Sequence, residues 1–334
     1  MPTMSELSRW IRDYGQDARN RQRLIADRFL WHQMWAAMDI IEDVDSALDA
    51  YLDNEFPTDL GERYLRIYGA MQALFLQQDA LFDLVKAFHP TKEIRPTDVL
   101  KDVREARNAS VGHPTRLKRK GTLSTHGIVQ NSMDKDGFDL LSYPTKDDTI
   151  FQHIPVRELI GKQRAETLRI LTEVINGLRE QEEAHRAQFR NTKLAGAFTL
   201  VSYAFEKIFE ETRGDSARLL SLWAVGQLRQ SLDEFAISLT KRGLRIDTYD
   251  SIEYVYEEIE HPLAELTKFV SRQSSEILSD KTALVFAEAL QGYFERLRHM
   301  AGEIDEEYAS EPAPIIQPEQ SYTPIIVTTN VIGE

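Results

Sequence analysis

Apolar residues recur at intervals of three to four positions through most of this 334-residue chain, and that spacing constrains its fold more than any other feature. Such a repeat places one apolar stripe along an α-helix, whereas a half-buried strand would show alternation. We predict a helix over about Ser5–Glu55 that breaks near Gly15 or Asn20, and a second helix over about Asp59–Phe88. The apolar stripe of the first helix contains Trp31, Met34, Trp35, Met38, Ile41 and Leu48.

Between residues 121 and 155 the apolar residues no longer follow the helical spacing of three to four positions. Two short runs, Gly127–Gln130 and Phe138–Tyr143, are joined by a polar segment that contains Asp136-Gly137. Asp-Gly is a dipeptide favoured in hairpin turns. We therefore predict a small β-hairpin inserted between helices at about residues 121–155.

The helical period returns at Val156 and continues to about Arg190. Its last part, Arg179–Arg190, is polar on every side, which is typical of a segment that bridges two bundles through solvent. We place a domain boundary at residue 190, so that residues 1–190 form one helical domain and residues 191–310 a C-terminal helical bundle. The tail, 311–334, contains four prolines and is predicted to be extended or disordered. The four helical segments predicted for the C-terminal bundle are Leu194–Thr212, Ser216–Lys241, Ser251–Gln273 and Asp280–Tyr308.

Composition excludes several classes of protein. The sequence contains no cysteine, which excludes disulfides, thiolate zinc sites and cysteine nucleophiles. No apolar run reaches the roughly 18 to 20 residues of a membrane span, and the start of the chain lacks the apolar core of a signal peptide, so we expect a cytoplasmic protein without membrane contact. Phosphate-binding glycine loops, dinucleotide fingerprints and the Gly-x-Ser-x-Gly elbow of serine esterases are absent from the sequence.

Arg104–Pro114 is the stretch most typical of a functional site. Thr97 is a plausible N-cap for a short helix, and Gly112 and Pro114 are expected to end it, because glycine accepts a left-handed turn and proline cannot continue the hydrogen-bond ladder. Arg107 then lies in the last turn and His113 just beyond it. The two side chains are expected to converge on one ligand.

This arrangement resembles the active-site motif of HEPN-domain ribonucleases. In that family an arginine precedes a histidine by four to six intervening residues, and Asn, Asp or His commonly follows the arginine. Arg107, Asn108 and His113 match, with five residues between Arg107 and His113. Two other arginine–histidine pairs have similar spacing but lack the asparagine and the Gly-His-Pro ending. The resemblance covers about residues 20–190 and implies a HEPN-like helical bundle.

The resemblance implies a metal-independent endoribonuclease that needs no cofactor. Its cleavage of RNA would produce 2′,3′-cyclic phosphate and 5′-hydroxyl ends. His113 would exchange protons with a ribose hydroxyl or the leaving oxygen, since an imidazole titrates near pH 6.5. Arg107 would stabilise the charge of the phosphorane, and Asn108 would orient the phosphate or the imidazole. HEPN enzymes generally work as homodimers with a composite active site, and many act in antiviral defence or as toxins, which implies an antitoxin or regulatory partner.

A local excess of positive charge follows the motif, although the whole chain has a formal net charge of −14. Phosphate binding depends on lysine and arginine, so we expect RNA contacts from this run. A solvated charged loop is the alternative explanation. Upstream, Gln78 and Asp79 interrupt an apolar run, and we expect them either to hold Arg107 or His113 or to lie on the solvent face of the helix. The residues predicted to bind RNA are Arg104, Arg116, Lys118, Arg119 and Lys120.

There are two other interpretations of the sequence. Arg107 and His113 would also suit a helix C-terminus for structural reasons alone, as a charge favoured by the helix dipole and a cap. The chain would then be a catalytically silent HEPN-like interaction or regulatory module. A remote alternative is a di-metal carboxylate bundle, since Glu182 to His185 and Glu258 to His261 have the Glu-x-x-His spacing. Against it, Glu182 lies in a polar run and Pro262 follows His261.

Overall fold

The structure is a computed structural model that describes residues 2–17, 20, 27–89, 95–119, 121–145, 148–212, 218–277 and 279–310. It is mostly helical, as predicted, and contains one small antiparallel sheet. The described residues divide into two compact units. Residues up to 15 and from 27 to 177 belong to the first unit, and residues from 178 to 310 belong to the second. The division falls between Gly177 and Leu178, earlier in the chain than the boundary we placed at residue 190.

The first unit begins with helices α1 (Met4–Gln16), α2 (Arg28–Asp53) and α3 (Leu60–Phe88). The predicted break after Gly15 is present, since α1 ends at Gln16. Asp59 caps α3, because its carboxylate accepts the Glu62 amide hydrogen at 3.0 Å. This cap satisfies one of the amides that a helix start leaves unpaired. The short helix α4 (Asp98–Arg107) follows with Thr97 at its N-cap position, as predicted.

The inserted sheet is larger than the predicted hairpin. Its four strands, in spatial and chain order, are β1 (Leu117–Arg119), β2 (Thr122–Ile128), β3 (Phe138–Pro144) and β4 (Ile150–Ile154). The outer strands escaped prediction because β1 consists largely of charged residues and four of the five residues of β4 are exposed. Neither strand shows the alternating pattern of a half-buried strand. Gly137, which we placed in the connecting turn, approaches the Ile154 carbonyl so closely that a side chain would overlap it.

Helix α5 (Val156–Phe189) leaves the sheet and continues past Gly177 into the second unit. The first unit closes around a core from α2, α3, α4, the sheet and the start of α5. The end of α4 is therefore fixed between α3 and the sheet, which positions the candidate site. Representative core residues are Leu48, Met71, Leu74, Val103, Phe138, Leu140 and Ile160.

The second unit contains helices α6 (Val201–Thr212), α7 (Arg218–Lys241), α8 (Asp250–Val270) and α9 (Asp280–Ala309). These bounds agree closely with the four predicted segments, except that Leu194–Phe198 forms a 3-10 turn before α6. Phe294 packs against Phe198 and Phe205, with ring centroids 6.4 and 5.7 Å apart. None of the helices among the described residues has the length and apolarity needed to cross a bilayer. The predicted tail, 311–334, lies outside the described residues.

Candidate active site

At the motif, where we predicted that the helix ends, the last turn of the helix is wider than an α-helical turn. After Arg107 the backbone forms a π turn over Asn108–Gly112, in which the His113 amide donates to the Asn108 carbonyl at 2.8 Å. Our expectation of a left-handed Gly112 is wrong, because the described glycines with positive φ are Gly121 and Gly243. Such π turns are rare and occur frequently at functional sites. This one releases His113 from the helix directly beside its last turn.

Arg107 is held by neutral groups. Its Nε and Nη2 donate to the Gln72 side-chain oxygen at 3.3 and 2.8 Å, and its Nη1 donates to the Asn108 side-chain oxygen at 3.1 Å. The guanidinium carbon lies 4.2 Å from the centre of the Phe75 ring. Within the part of the chain that the structure describes, no carboxylate forms an ion pair with Arg107. The half-buried guanidinium therefore retains an unneutralised charge in a fixed orientation.

Gln78 and Asp79 do not contact Arg107 or His113 as we expected. They hold Arg104, which donates from Nε to the Gln78 oxygen at 3.2 Å and forms an ion pair with Asp79. Arg104 and Arg107 are three residues apart on one face of α4, and Arg104 is the one that reaches Gln78 and Asp79, whereas Arg107 reaches Gln72. Arg104 is therefore a neutralised, half-buried residue, and we no longer assign it to RNA binding.

Three consecutive polar residues, Gln77-Gln78-Asp79, interrupt the apolar sequence of α3, and the two glutamines are buried rather than solvated. Gln77 and Gln78 are both 0% exposed. The Gln163 side chain of α5 accepts from the Gln78 amide at 2.8 Å and donates to the Leu74 carbonyl at 2.8 Å and to the Gln77 oxygen at 2.9 Å. Buried amides are tolerated when they are hydrogen-bonded in this way. The network fixes the part of α3 that carries Gln72, the partner of Arg107, and Gln78 and Asp79, the partners of Arg104.

His113 is exposed, and among the described residues its imidazole has no hydrogen-bond partner. Two backbone hydrogen bonds hold the segment His113-Pro114 in place. The Arg116 amide donates to the His113 carbonyl at 3.2 Å, and the His126 amide donates to the Pro114 carbonyl at 2.6 Å. The Arg107 guanidinium lies against Gly112, with Cζ 3.1 Å from the place that a Cβ on Gly112 would occupy. The fold thus brings the Arg107 head group next to the backbone that carries His113.

The remaining predicted RNA-binding residues follow the motif. Arg116 and Lys118 are exposed on the turn and on β1. The side chain of Arg119 and the whole of Lys120 lie outside the described residues.

A cavity of about 760 Å³ lies on the other side of α4, between the helix and the sheet. We treated His126 and His153 as ordinary polar residues from the sequence, yet both line this cavity. Its helical wall includes Asp102, Glu105 and Ala106, which face away from the side of α4 that bears Arg107. No local sequence pattern indicates this site, because the sheet assembles it from separate strands.

The residues of the remote metal alternative have other partners. Glu182 accepts from Arg186 Nε at 2.7 Å, Glu258 accepts from the Tyr293 hydroxyl at 3.2 Å, and His261 lies 3.3 Å from Glu276. Among the described residues, no group of three or more histidine, aspartate or glutamate side chains converges to hold a metal ion.

No protein-family model, curated protein or solved structure matches this chain.

Proposed function

We propose that the first unit is a metal-independent endoribonuclease whose phosphate-binding group is Arg107. The observation that supports the proposal is the unneutralised guanidinium, which amides and an aromatic ring hold in place while an exposed histidine follows after five intervening residues. Arg104, on the same face of α4, differs in this respect because it pairs with the carboxylate of Asp79. A charge kept free of carboxylates in a half-buried position favours an anionic ligand.

Arg107 has five guanidinium hydrogens, of which three point to Gln72 and Asn108. The two that remain, one on each Nη, are available to a phosphate. Because Gln72 and Asn108 fix the plane of the guanidinium, little reorganisation is needed when charge develops on the phosphorane oxygens. Preorganised donors of this kind supply much of the catalytic effect in charge-stabilising sites.

His113 provides proton transfer. A neutral imidazole takes the proton of the ribose 2′-hydroxyl as its oxygen attacks phosphorus, the bond to the 5′ oxygen breaks, and the 5′ oxygen receives a proton. The products are a 2′,3′-cyclic phosphate and a 5′-hydroxyl. One imidazole cannot be acid and base in the same concerted step, and His126 and His153 line a different cavity. We therefore extend the proposal to a homodimer in which a second copy supplies the other group.

The substrate is RNA rather than DNA, because the mechanism consumes a 2′-hydroxyl. Arg116 and Lys118 are exposed close to His113 in the chain and would contact neighbouring phosphates. Their contribution is local, since the chain as a whole carries a net charge of −14. Binding is expected to weaken as salt concentration rises.

The test is cleavage of total RNA or transfer RNA by the purified protein in the presence of EDTA, with the ends of the products identified by mass spectrometry. Arg107→Ala and His113→Ala should each abolish cleavage and the growth inhibition caused by overexpression, while the circular dichroism spectrum is retained. Arg107→Lys should restore little activity, because an ammonium lacks the forked geometry. His299→Ala, which removes an exposed imidazole from the second unit, is the matched control and should cleave like the wild type.

Two outcomes contradict the proposal. Cleavage that persists in both alanine variants would assign the activity to another group or to a contaminant. Absence of cleavage from the wild type, at all protein concentrations that allow dimerisation, would leave the chain as a silent interaction module.

A further inference from the structure

Three side chains on one face of the sheet form a continuous hydrogen-bonded chain. Ser124 and His126 are two residues apart on β2 and therefore point to the same face. His126 is paired in register with Ser142 of β3. The Ser124 hydroxyl lies 2.8 Å from Nε2 of His126, and Nδ1 of His126 lies 2.7 Å from the Ser142 hydroxyl.

This geometry makes Ser124 the donor to an imidazole base. When the ring proton is on Nδ1 and donates to Ser142, the Ser124 hydroxyl donates to Nε2. The other acceptor within reach of Ser124 is the Leu117 carbonyl at 3.4 Å, which is farther away than Nε2. Burial lowers the pKa of His126 below its ordinary value of 6.5, so the imidazole is neutral and able to accept a proton at neutral pH.

The chain of groups opens into the cavity between α4 and the sheet, since Ser124, His126 and Ser142 all line it. Its volume of about 760 Å³ lies within the range of small-molecule sites, about 300 to 1,000 Å³. Leu117, Leu140 and Ile154 provide apolar walls. Gln152, which also lines the cavity and is paired in register with Leu140, provides a side-chain amide at which negative charge can be stabilised. The cavity therefore contains a hydroxyl, a base, an orienting group and room for a ligand.

The charges of the cavity select the class of substrate. Asp102 lies on its helical wall and would repel a phosphate ester, which carries negative charge before reaction. A neutral carboxylic ester meets no such repulsion, and its negative charge develops only in the transition state, where the Gln152 amide can stabilise it.

We propose that this cavity is a second active site, in which Ser124 is the nucleophile and His126 the general base for hydrolysis of a small, uncharged carboxylic ester. Ser124 Oγ bonds to the carbonyl carbon and gives its proton to His126, and the bond to the leaving alcohol breaks as that alcohol takes the proton from His126. Water then gives a proton to His126 as its oxygen bonds to the acyl carbon. The bond from that carbon to Ser124 Oγ breaks, Oγ takes the proton back from His126, and the acid is released. A nucleophile, a base within hydrogen-bond reach and a third group that orients the base are the features that identify covalent catalysis. The proposal is independent of the ribonuclease, because Arg107 lies on the other side of α4.

The experiment uses the full chain and a fluorophosphonate probe, in which attack by a serine forms an O–P bond and expels fluoride. We expect one label per chain, located on Ser124 by peptide mass spectrometry, and hydrolysis of p-nitrophenyl acetate above the buffer rate. Ser124→Ala should lose both, and His126→Gln should slow labelling by about 100-fold or more, as expected for loss of a general base. Thr125→Ala, which removes the exposed neighbouring hydroxyl from the opposite face of β2, should behave like the wild type.

Ser142 is a positioning residue in this scheme. Ser142→Ala should lower kcat for p-nitrophenyl acetate and leave KM unchanged, whereas simple collapse of the cavity would raise KM. Arg107→Ala should be labelled at the wild-type rate, which separates this site from the ribonuclease. The proposal is overturned if the folded wild type takes no label on Ser124, or if Ser124→Ala is labelled and hydrolyses the ester as the wild type does.

Discussion

The guanidinium of Arg107 lies directly against the α-carbon of Gly112, so that a Cβ built on Gly112 would overlap Nη1 and lie 3.1 Å from Cζ. Gly112 has an ordinary helical conformation in the π turn and not a left-handed one. A side chain at this position would therefore act by moving the Arg107 head group and not by straining the backbone.

Gly112→Ala should displace the Arg107 head group while leaving the backbone able to form the π turn. We expect RNA cleavage to fall by up to about 100-fold, since a shift of about 1 Å in a catalytic group can cost that much. The measurement is kcat/KM on transfer RNA in EDTA, with the thermal midpoint measured alongside. If Gly112→Ala cleaves RNA like the wild type, cleavage does not depend on the position of the Arg107 head group.

Gly161→Ala is the matched control for this substitution. Gly161 is exposed in α5, and a Cβ there meets no atom within 4 Å. Because alanine has the higher helix propensity, the free energy of unfolding should increase by about 0.5 to 1 kcal/mol. Its RNA cleavage should equal that of the wild type.

Gln72→Glu tests whether the charge of Arg107 must stay free of carboxylates. Glutamate keeps the shape and the acceptors of glutamine but forms an ion pair with Arg107, which would compete with a phosphate. We expect cleavage to fall by about 10-fold or more, which corresponds to roughly 1.4 kcal/mol of lost transition-state stabilisation, with no loss of thermal stability. Gln130→Glu, at an exposed position of the same unit, should retain activity, and equal activity of the two variants would contradict the assigned role of Arg107.

Arg242 is a buried structural residue of the second unit. It is 1% exposed, donates to the carbonyls of Thr192 and Ser238, and stacks 4.9 and 5.5 Å from the ring centres of Phe189 and Tyr308. Burial lowers its pKa below the ordinary value of an arginine. Arg242→Ala should lower the free energy of unfolding by about 2 to 5 kcal/mol, mainly through the cavity it creates.

Arg242→Met provides the comparison, because it fills most of the volume without the charge. Methionine restores packing but leaves Asp305, whose carboxylate lies 3.9 Å from the guanidinium, without its charged partner, and loss of one partner of a buried pair is destabilising. Calorimetry of the wild type and both variants should therefore place methionine between alanine and arginine. Equal losses for both variants would show that hydrogen bonding, and not packing, determines the contribution of Arg242.

Glu265 should make the second unit sensitive to acid. The Lys268 ammonium, the Glu276 amide and the Ser275 hydroxyl bond its carboxylate and lower its pKa from 4.5 to about 2. The Glu265 carboxylate therefore takes up a proton at a lower pH in the folded state than in the unfolded state. The stabilisation is fully present above the unfolded pKa and is lost as pH falls from about 4.5 through about 2.

Glu265→Gln should remove that part of the pH dependence. The difference in thermal midpoint between wild type and variant should be largest above about pH 5 and should shrink as the pH approaches about 2. A difference that stays constant over this range would mean that the carboxylate is not the group that titrates.

The sequence by itself determined the helical class of the fold, the approximate bounds of its helices and the place where α4 ends. These properties depend on local spacing, since the apolar period and the residues that end a helix act over a few positions. The same local spacing placed Arg107 in the last turn of α4 and His113 just after it.

Only the tertiary structure decided what these side chains contact. Gln72 is 35 residues from Arg107 in the chain, and nothing in its neighbourhood marks it as the partner in preference to Gln78, which instead holds Arg104. Ser142 meets His126 because of strand register, and a shift of one residue would have turned it to the other face. Such contacts arise from packing between distant segments, on which local sequence patterns carry no information.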